Sequence, residues 1–117
     1  SVAQSILVDV KENVEEAGGK LYFVYIPMME RYYNLIPSDN FQGRTKIFDM
    51  INKLGIPIID LLHAGKQVKN ISKYYPFGIK GHLNADGYSY FSDIILQRLI
   101  KDEVIENKSE SYKTSAK

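Results

Sequence analysis

Two short apolar runs, each preceded by a helical pattern that stops at glycine, constrain this chain more than any other feature of its sequence. Residues 21–26 read Leu-Tyr-Phe-Val-Tyr-Ile, and a continuous aromatic and β-branched run is typical of a strand buried on both faces. Residues 56–60 read Ile-Pro-Ile-Ile-Asp and predict a second, short strand. Gly18-Gly19 and Gly55 stand just before the two runs, where glycine commonly ends a helix. Strands that alternate with helices predict right-handed crossovers and a parallel α/β sheet.

Helical patterns occupy residues 2–17, 44–54 and 84–106. In the first, apolar residues recur about once per helical turn, at Val2, Ile6, Val10 and Val14. In the last, a stripe at helical spacing is expected to face the core, and its members are Tyr88, Phe91, Ile95 and Leu99. Two parallel strands are too few to cover both faces and both edges of a sheet. Further strands are therefore expected from outside this sequence, either from a missing N-terminal segment or from a second copy in a homo-oligomer.

Residues 1–106 are interpreted as the C-terminal part of one domain, and residues 107–117 as a flexible polar tail. The tail is rich in Ser and Lys and has no apolar anchor. The sequence opens at Ser1, and a helical pattern begins within the next few residues. We interpret this opening as that of a fragment or a processed product.

Composition excludes several classes of function. Fifteen basic residues against fourteen acidic ones give a formal net charge of +1, without the basic stripe that binding to nucleic acid requires. The absence of cysteine excludes disulfides, thiolate catalysis and thiolate zinc sites. Two widely separated histidines and scattered carboxylates give no metal-ligand spacing, and we expect neither a metal nor a cofactor. No apolar run approaches the roughly 20 residues that span a bilayer.

The stretch from residue 74 to 88, Y-Y-P-F-G-I-K-G-H-L-N-A-D-G-Y, is the most informative one for chemistry. It places His82 on a loop that enters the last helix, and reactive groups of open α/β sheets gather outside the carboxyl ends of the strands. Gly81 gives the backbone freedom to turn the imidazole outward. Asn84 is a good N-cap, and Gly87 permits close approach in the first helical turn. A single histidine on a loop is by itself most often an ordinary surface residue, and this context is what favours a functional one.

This block resembles the end of SGNH (GDSL-like) hydrolases, in which H-x-N-x-x-G-(Y or H) opens into a C-terminal helix. His82, Asn84, Gly87 and Tyr88 fit that pattern, and residues 20–99 are similar to the family's last two strands and their helices. The resemblance implies a three-layer α/β/α, flavodoxin-like parallel sheet, of which this chain holds the last two strands. It also implies that His82 is the catalytic histidine.

The sequence departs from the family in two respects. It contains neither the G-D-S block of the nucleophile nor the glycine and G-x-N-D asparagine of the oxyanion hole. The aspartate that usually stands two or three residues before the histidine is replaced by Lys80 and Ile79. A serine–histidine dyad can still function, because the acidic partner orients the imidazole without taking the proton.

Several residues near the strand ends are secondary candidates. Asp60, at the end of the second strand, could orient His82, although a carboxylate there more often caps the next turn. Glu30, Arg31 and Tyr32 open a stretch from residue 28 to 42 that predicts a long loop, and they are candidates for a substrate rim or for a solvated surface. His63 has no motif around it and is expected to be an ordinary residue.

The resemblance implies an ester hydrolase or an O-acyltransferase that acts on O-acyl esters or acylated saccharides. This sequence supplies at most the base of that chemistry, so the chain alone is expected to be inactive. The alternative is a non-catalytic α/β assembly module with a vestigial histidine. A flavodoxin-like or receiver-type function is disfavoured because no phosphate loop or acidic pocket is visible.

Overall fold

A computed structural model gives the fold of the chain and describes residues 1–32, 40–76 and 82–107. The described elements, in chain order, are α1 (Val2–Glu16), β1 (Phe23–Tyr25), α2 (Met29–Tyr32), α3 (Asn40–Lys53), β2 (Ile58–Asp60), α4 (Leu61–Lys66), a 3₁₀ helix (Ile71–Tyr74) and α5 (Ala85–Lys101). The predicted order of helix, strand, helix, strand and helix is confirmed, with a short helix after each strand. The tail predicted to be flexible lies outside the described residues beyond position 107.

The two strands form a parallel pair, as predicted. Phe23 pairs with Ile58, Val24 with Ile59 and Tyr25 with Asp60. The strands are shorter than the predicted ranges 21–26 and 56–60. Pro27 follows β1 closely and has no N–H to continue the ladder. The described chain is therefore a mixed helix-and-strand fold around a two-stranded parallel sheet.

Helices pack on both faces of this sheet because successive strand residues point to opposite faces. On one face, the Phe48 ring of α3 meets Phe23 and Tyr25 edge to face, with centroids 6.3 and 5.5 Å apart. On the other face, Val24 packs against the main core. The buried members of that core are Met29, Ile59, Leu61, Ile71, Tyr75, Leu83 and Phe91. Phe91 belongs to α5, so the sheet lies between α3 and α5.

Three helices end in the same backbone turn, in which the two residues after the cap donate N–H groups to the last turn. At the end of α1, Gly18 has φ +83°, and Gly55 has φ +72° at the end of α3, which confirms both predicted glycine stops. At the end of α5 the left-handed residue is Glu103, with φ +58°. A non-glycine residue in this conformation costs about 1–2 kcal/mol. The prediction that α5 reaches residue 106 was wrong because no glycine marks its end.

The first helix forms as predicted and leaves most of its apolar stripe exposed. Val2, Ile6 and Val10 are 78, 56 and 39 % exposed, whereas Leu7 and Val14 are half-buried. Most of the apolar stripe read from the sequence therefore faces outward. Across the described residues, every helix is too short or too polar to span a bilayer.

The third helix begins earlier than predicted. It starts at Asn40, four residues before the expected Arg44. Gly43, which lies inside it, weakens the helical pattern there because glycine has low helix propensity. The apolar period that defines the helix becomes regular only from Ile47 onward.

Candidate functional site

His82 lies on an apolar cleft at the carboxyl end of β1. The cleft has a volume of about 470 Å³, and its lining residues are Ile26, Pro27, Met28, Tyr75, His82, Leu83 and Tyr88. The first three follow β1 directly, whereas His82 and Leu83 immediately precede the cap of α5. The imidazole itself is exposed. The loop that enters the last helix thus meets the end of a parallel strand, where the sequence predicts reactive groups.

Asn84 fixes the loop end that carries His82. Its Oδ1 accepts the Gly87 N–H at 2.9 Å, which caps α5. Its Nδ2 donates to the Lys73 carbonyl at 2.7 Å, and its backbone N–H donates to the Tyr74 carbonyl at 2.8 Å. One residue therefore joins the start of α5 to the end of the 3₁₀ helix, and His82 stands two positions before this junction.

Gly87 allows these two elements to approach each other. A Cβ at this position would lie 2.6 Å from the Tyr74 carbonyl oxygen and 2.9 Å from the Tyr74 Cβ. Because the first of these is a backbone atom, a side chain could be accommodated only by moving α5 away. Just beyond, the Tyr74 and Tyr90 rings stack with centroids 5.0 Å apart. The packing of α5 against the 3₁₀ helix thus explains why this fold has an asparagine and a glycine at these two positions of the motif.

Tyr75 ties the two walls of the cleft together. It is 2 % exposed, and its hydroxyl donates to the Pro27 carbonyl at 3.2 Å. The strand end that carries Ile26 and Met28 is thereby fixed to the segment that follows the 3₁₀ helix. The sequence predicts Ile26 as part of a strand buried on both faces, but β1 ends at Tyr25 and Ile26 is exposed. It predicts no functional role for Met28 or Tyr75.

Tyr88 corrects the interpretation of the α5 stripe. The sequence predicts it as a core residue, yet it is 51 % exposed and lines the cleft. Phe91, one turn later, is 2 % exposed. Tyr88 belongs to the first turn of α5, which lies beside the open cleft at the end of the sheet, so the stripe is buried only farther along the helix.

Asp60 caps α4 and pairs with α3. Its Oδ1 accepts the Leu62 N–H at 3.1 Å, and its Oδ2 accepts from the Arg44 guanidinium. The same guanidinium stacks on Phe48, 4.2 Å from the ring centroid, and on Tyr25, 5.0 Å away. Both carboxylate oxygens thus have partners other than an imidazole, and orientation of His82 by Asp60 stays a prediction.

The predicted substrate-rim residues lie on the short helix α2. The Tyr32 hydroxyl donates to the Leu61 carbonyl at 3.1 Å, and its ring packs so closely on Gly65 that a Cβ there would lie 2.2 Å from it. Burial, followed by the neighbouring Tyr75, raises the pKa of Tyr32 well above its usual range. The Tyr32 side chain therefore packs from α2 onto α4. Arg31 is half-buried.

Two of the predicted site residues cannot be placed in this way. The Glu30 side chain lies outside the described residues, and so does the whole of Gly81. His63, the second histidine, is described and is exposed on α4. It is absent from the residues that line the cleft of His82.

The chemistry that this arrangement offers is proton transfer at one imidazole beside an apolar surface. Within residues 1–32, 40–76 and 82–107, no three histidine or carboxylate side chains lie close enough to share a metal ion.

Comparison with protein-family models, with curated proteins and with solved structures found no match for this chain.

Proposed function

We propose that this chain is the C-terminal part of an SGNH-type ester hydrolase or O-acyltransferase domain, in which His82 is the general base. The observation that supports this proposal most is the position of His82 on an apolar cleft at the carboxyl end of β1. The proposal includes the three-layer, flavodoxin-like sheet of that family. The packing of α3 and α5 on opposite faces of a parallel strand pair is compatible with such a sheet.

In the proposed reaction, His82 takes the proton of a serine hydroxyl as the serine attacks an ester carbonyl. It then gives that proton to the leaving oxygen, and water or an acceptor hydroxyl completes the turnover. The serine and the oxyanion-hole donors belong to a segment that this sequence does not contain. The role of this chain is to supply the base, the cleft beside it, and the junction at Asn84 that holds the loop end.

The test uses a longer form of the protein that carries a G-D-S block before this sequence. We expect it to hydrolyse p-nitrophenyl acetate, and His82→Ala to lower turnover at least about a thousandfold, because a serine nucleophile without its base loses most of its reactivity. His63→Ala is the matched control, since it removes an equally exposed imidazole that lies away from the cleft. The 117-residue chain alone is expected to show no turnover above that of free imidazole.

Equal losses from the two substitutions, or no loss from His82→Ala, would refute the role of His82. Turnover by the 117-residue chain that survives His82→Ala would contradict the proposal that the nucleophile and the oxyanion hole belong to another segment.

Substrates of the proposed enzyme are O-acyl esters, including acylated saccharides.

A non-catalytic assembly module is the second candidate function. It is favoured by the exposed apolar row on α1, formed by Val2, Ile6 and Val10, since contiguous apolar surface marks sites of association. Under this alternative the longer form would show no hydrolysis, and His82→Ala would change neither activity nor assembly.

A further inference from the structure

The cleft beside His82 is built for an uncharged chain. Apart from the imidazole, the described residues that line it are aliphatic side chains, a methionine, a proline and two tyrosines. A phosphate or carboxylate ligand is normally met by Arg, Lys or a cluster of N–H donors, and within residues 1–32, 40–76 and 82–107 no Arg or Lys lines the cleft. Its volume of about 470 Å³ falls in the range of small-molecule sites.

Exposure of the wall supports a ligand site. Ile26 is 52 % and Met28 is 58 % exposed, and Tyr88 on the opposite wall is 51 % exposed. Single exposed apolar residues are ordinary on protein surfaces, but several that face one concave space are typical of a binding site. The backbone beneath them is fixed, since Pro27 is buried and its carbonyl accepts from Tyr75.

We infer that this cleft binds the alkyl part of an acyl group several carbons long, and that Met28 sets the preference for chain length. The inference rests on the proposed function, and among O-acyl esters it predicts a preference for medium-length acyl groups over acetyl. Met28 suits this role because an unbranched thioether adapts to chains of different length. Among the exposed hydrophobic residues that line the cleft, it is the most exposed.

The test measures binding rather than turnover. Methyl ketones of increasing chain length, 2-butanone, 2-hexanone and 2-octanone, carry a neutral carbonyl that cannot be hydrolysed. Titrated into the 117-residue chain, they should shift the NMR signals of the His82 ring and the Met28 methyl. Each added methylene that is buried should raise affinity about fourfold, until the cleft is filled.

Variants separate the cleft from other apolar surfaces. Met28→Ser should weaken 2-octanone binding several-fold and flatten the chain-length series, and Tyr88→Ser should do the same from the opposite wall. Ile6→Ser is the matched control, because Ile6 is 56 % exposed on α1 and does not line the cleft. It should leave the series unchanged.

Three outcomes would overturn the inference: no dependence on chain length, a dependence that Met28→Ser and Tyr88→Ser leave intact, or one that Ile6→Ser abolishes equally. These outcomes are independent of the proposed catalysis. If the ketone series fails while His82→Ala abolishes ester turnover in the longer form, only the acyl-chain inference is wrong. If the ketones bind as expected while turnover survives His82→Ala, the proposed function is wrong and the cleft is an alkyl-binding site without that chemistry.

Discussion

Asn84 combines two roles in one side chain. Its oxygen caps α5 through the Gly87 N–H, and its nitrogen donates to the Lys73 carbonyl. A threonine or serine at this position could provide the cap but could not reach both partners in the same way, since a hydroxyl donates and accepts at one atom, whereas the amide uses its nitrogen for one partner and its oxygen for the other. The residue therefore controls both the start of a helix and the position of the loop end beside the cleft.

Substitution of Asn84 should separate these roles. We expect Asn84→Ala to lower the free energy of unfolding by about 1–3 kcal/mol, because it removes a helix cap and one further hydrogen bond. Asn84→Ser keeps an acceptor that can cap the Gly87 N–H and loses the amide donor to Lys73, so its loss should be smaller. Urea unfolding followed by circular dichroism measures both. Equal losses for the two variants would contradict a cap contribution.

At the scale of single residues, the sequence predicted the parts of the site that act locally. Capping by Asn84 could be inferred because its partner, the Gly87 N–H, lies within one helical turn. Close approach at Gly87 could be inferred from the residue type alone, whereas its partner, Tyr74, belongs to an earlier element. Met28 and Tyr75 could not be assigned to the cleft, because their positions depend on contacts between segments far apart in the chain. Tyr75 reaches Pro27, for example, across the whole of α3 and β2.

Among the elements, α5 is tied to the sheet by a small polar cluster at its C-terminal end. The Tyr22 hydroxyl, just before β1, donates to Asp102 Oδ2 at 2.6 Å. Arg98 Nε donates to the same oxygen at 2.9 Å, and Arg98 Nη1 donates to the Ile58 carbonyl of β2 at 3.4 Å. The hydrogen bond from Tyr22, followed by that from Arg98, lowers the pKa of Asp102 from its ordinary value of 3.8.

This cluster should make stability depend on pH in the acid range. A folded pKa below the unfolded one means that the Asp102 contribution is complete above pH 3.8 and is lost as the pH falls through the lowered folded value. The difference in unfolding free energy between the parent chain and Asp102→Asn should therefore shrink on acidification. Urea unfolding between about pH 6 and about pH 3 measures it.

Tyr22→Phe provides the companion measurement. It removes the largest cause of the shift and leaves the carboxylate and Arg98 in place, so part of the acid dependence should disappear. A difference between parent and Asp102→Asn that stays constant over the whole pH range would contradict the stabilising role of the charged form.

Among the elements, helix ends could be predicted from the sequence where a glycine marks them. Gly18 and Gly55 marked helix ends correctly because glycine adopts a positive φ without strain. Glu103 adopts the same conformation at the end of α5, but a glutamate does not mark a helix end in the sequence. The outward face of α1 could not be predicted, because periodicity identifies an apolar stripe but what packs against it depends on the whole molecule.

Within the described residues, neither strand of the sheet has a second neighbouring strand, and the first helix leaves part of its apolar stripe exposed. The sheet has only two strands, and Val2 and Ile6 are largely exposed. We expect the isolated chain to self-associate, because burial of an isoleucine contributes about 1.5–3 kcal/mol. Ile6→Lys should weaken association at least about tenfold, as measured by sedimentation velocity over a range of concentrations.

Leu96→Lys is the control for this prediction, since Leu96 is 44 % exposed on α5 and does not belong to the α1 row. It should leave the association unchanged. A well-folded monomer at all concentrations would show that neither the sheet edges nor α1 needs a second copy.

Parallel pairing also restricts the order in which this chain can fold. The two strands are separated in sequence by α2 and α3, so their hydrogen bonds form only after a long loop has closed, which is the slow step in folds with non-local contacts. Helix α3, with 14 residues, shortens that loop by forming a rod of about 21 Å. Its Phe48 then meets both Phe23 and Tyr25. We therefore expect the site beside His82 to form only after a helix has packed on the opposite face of the sheet.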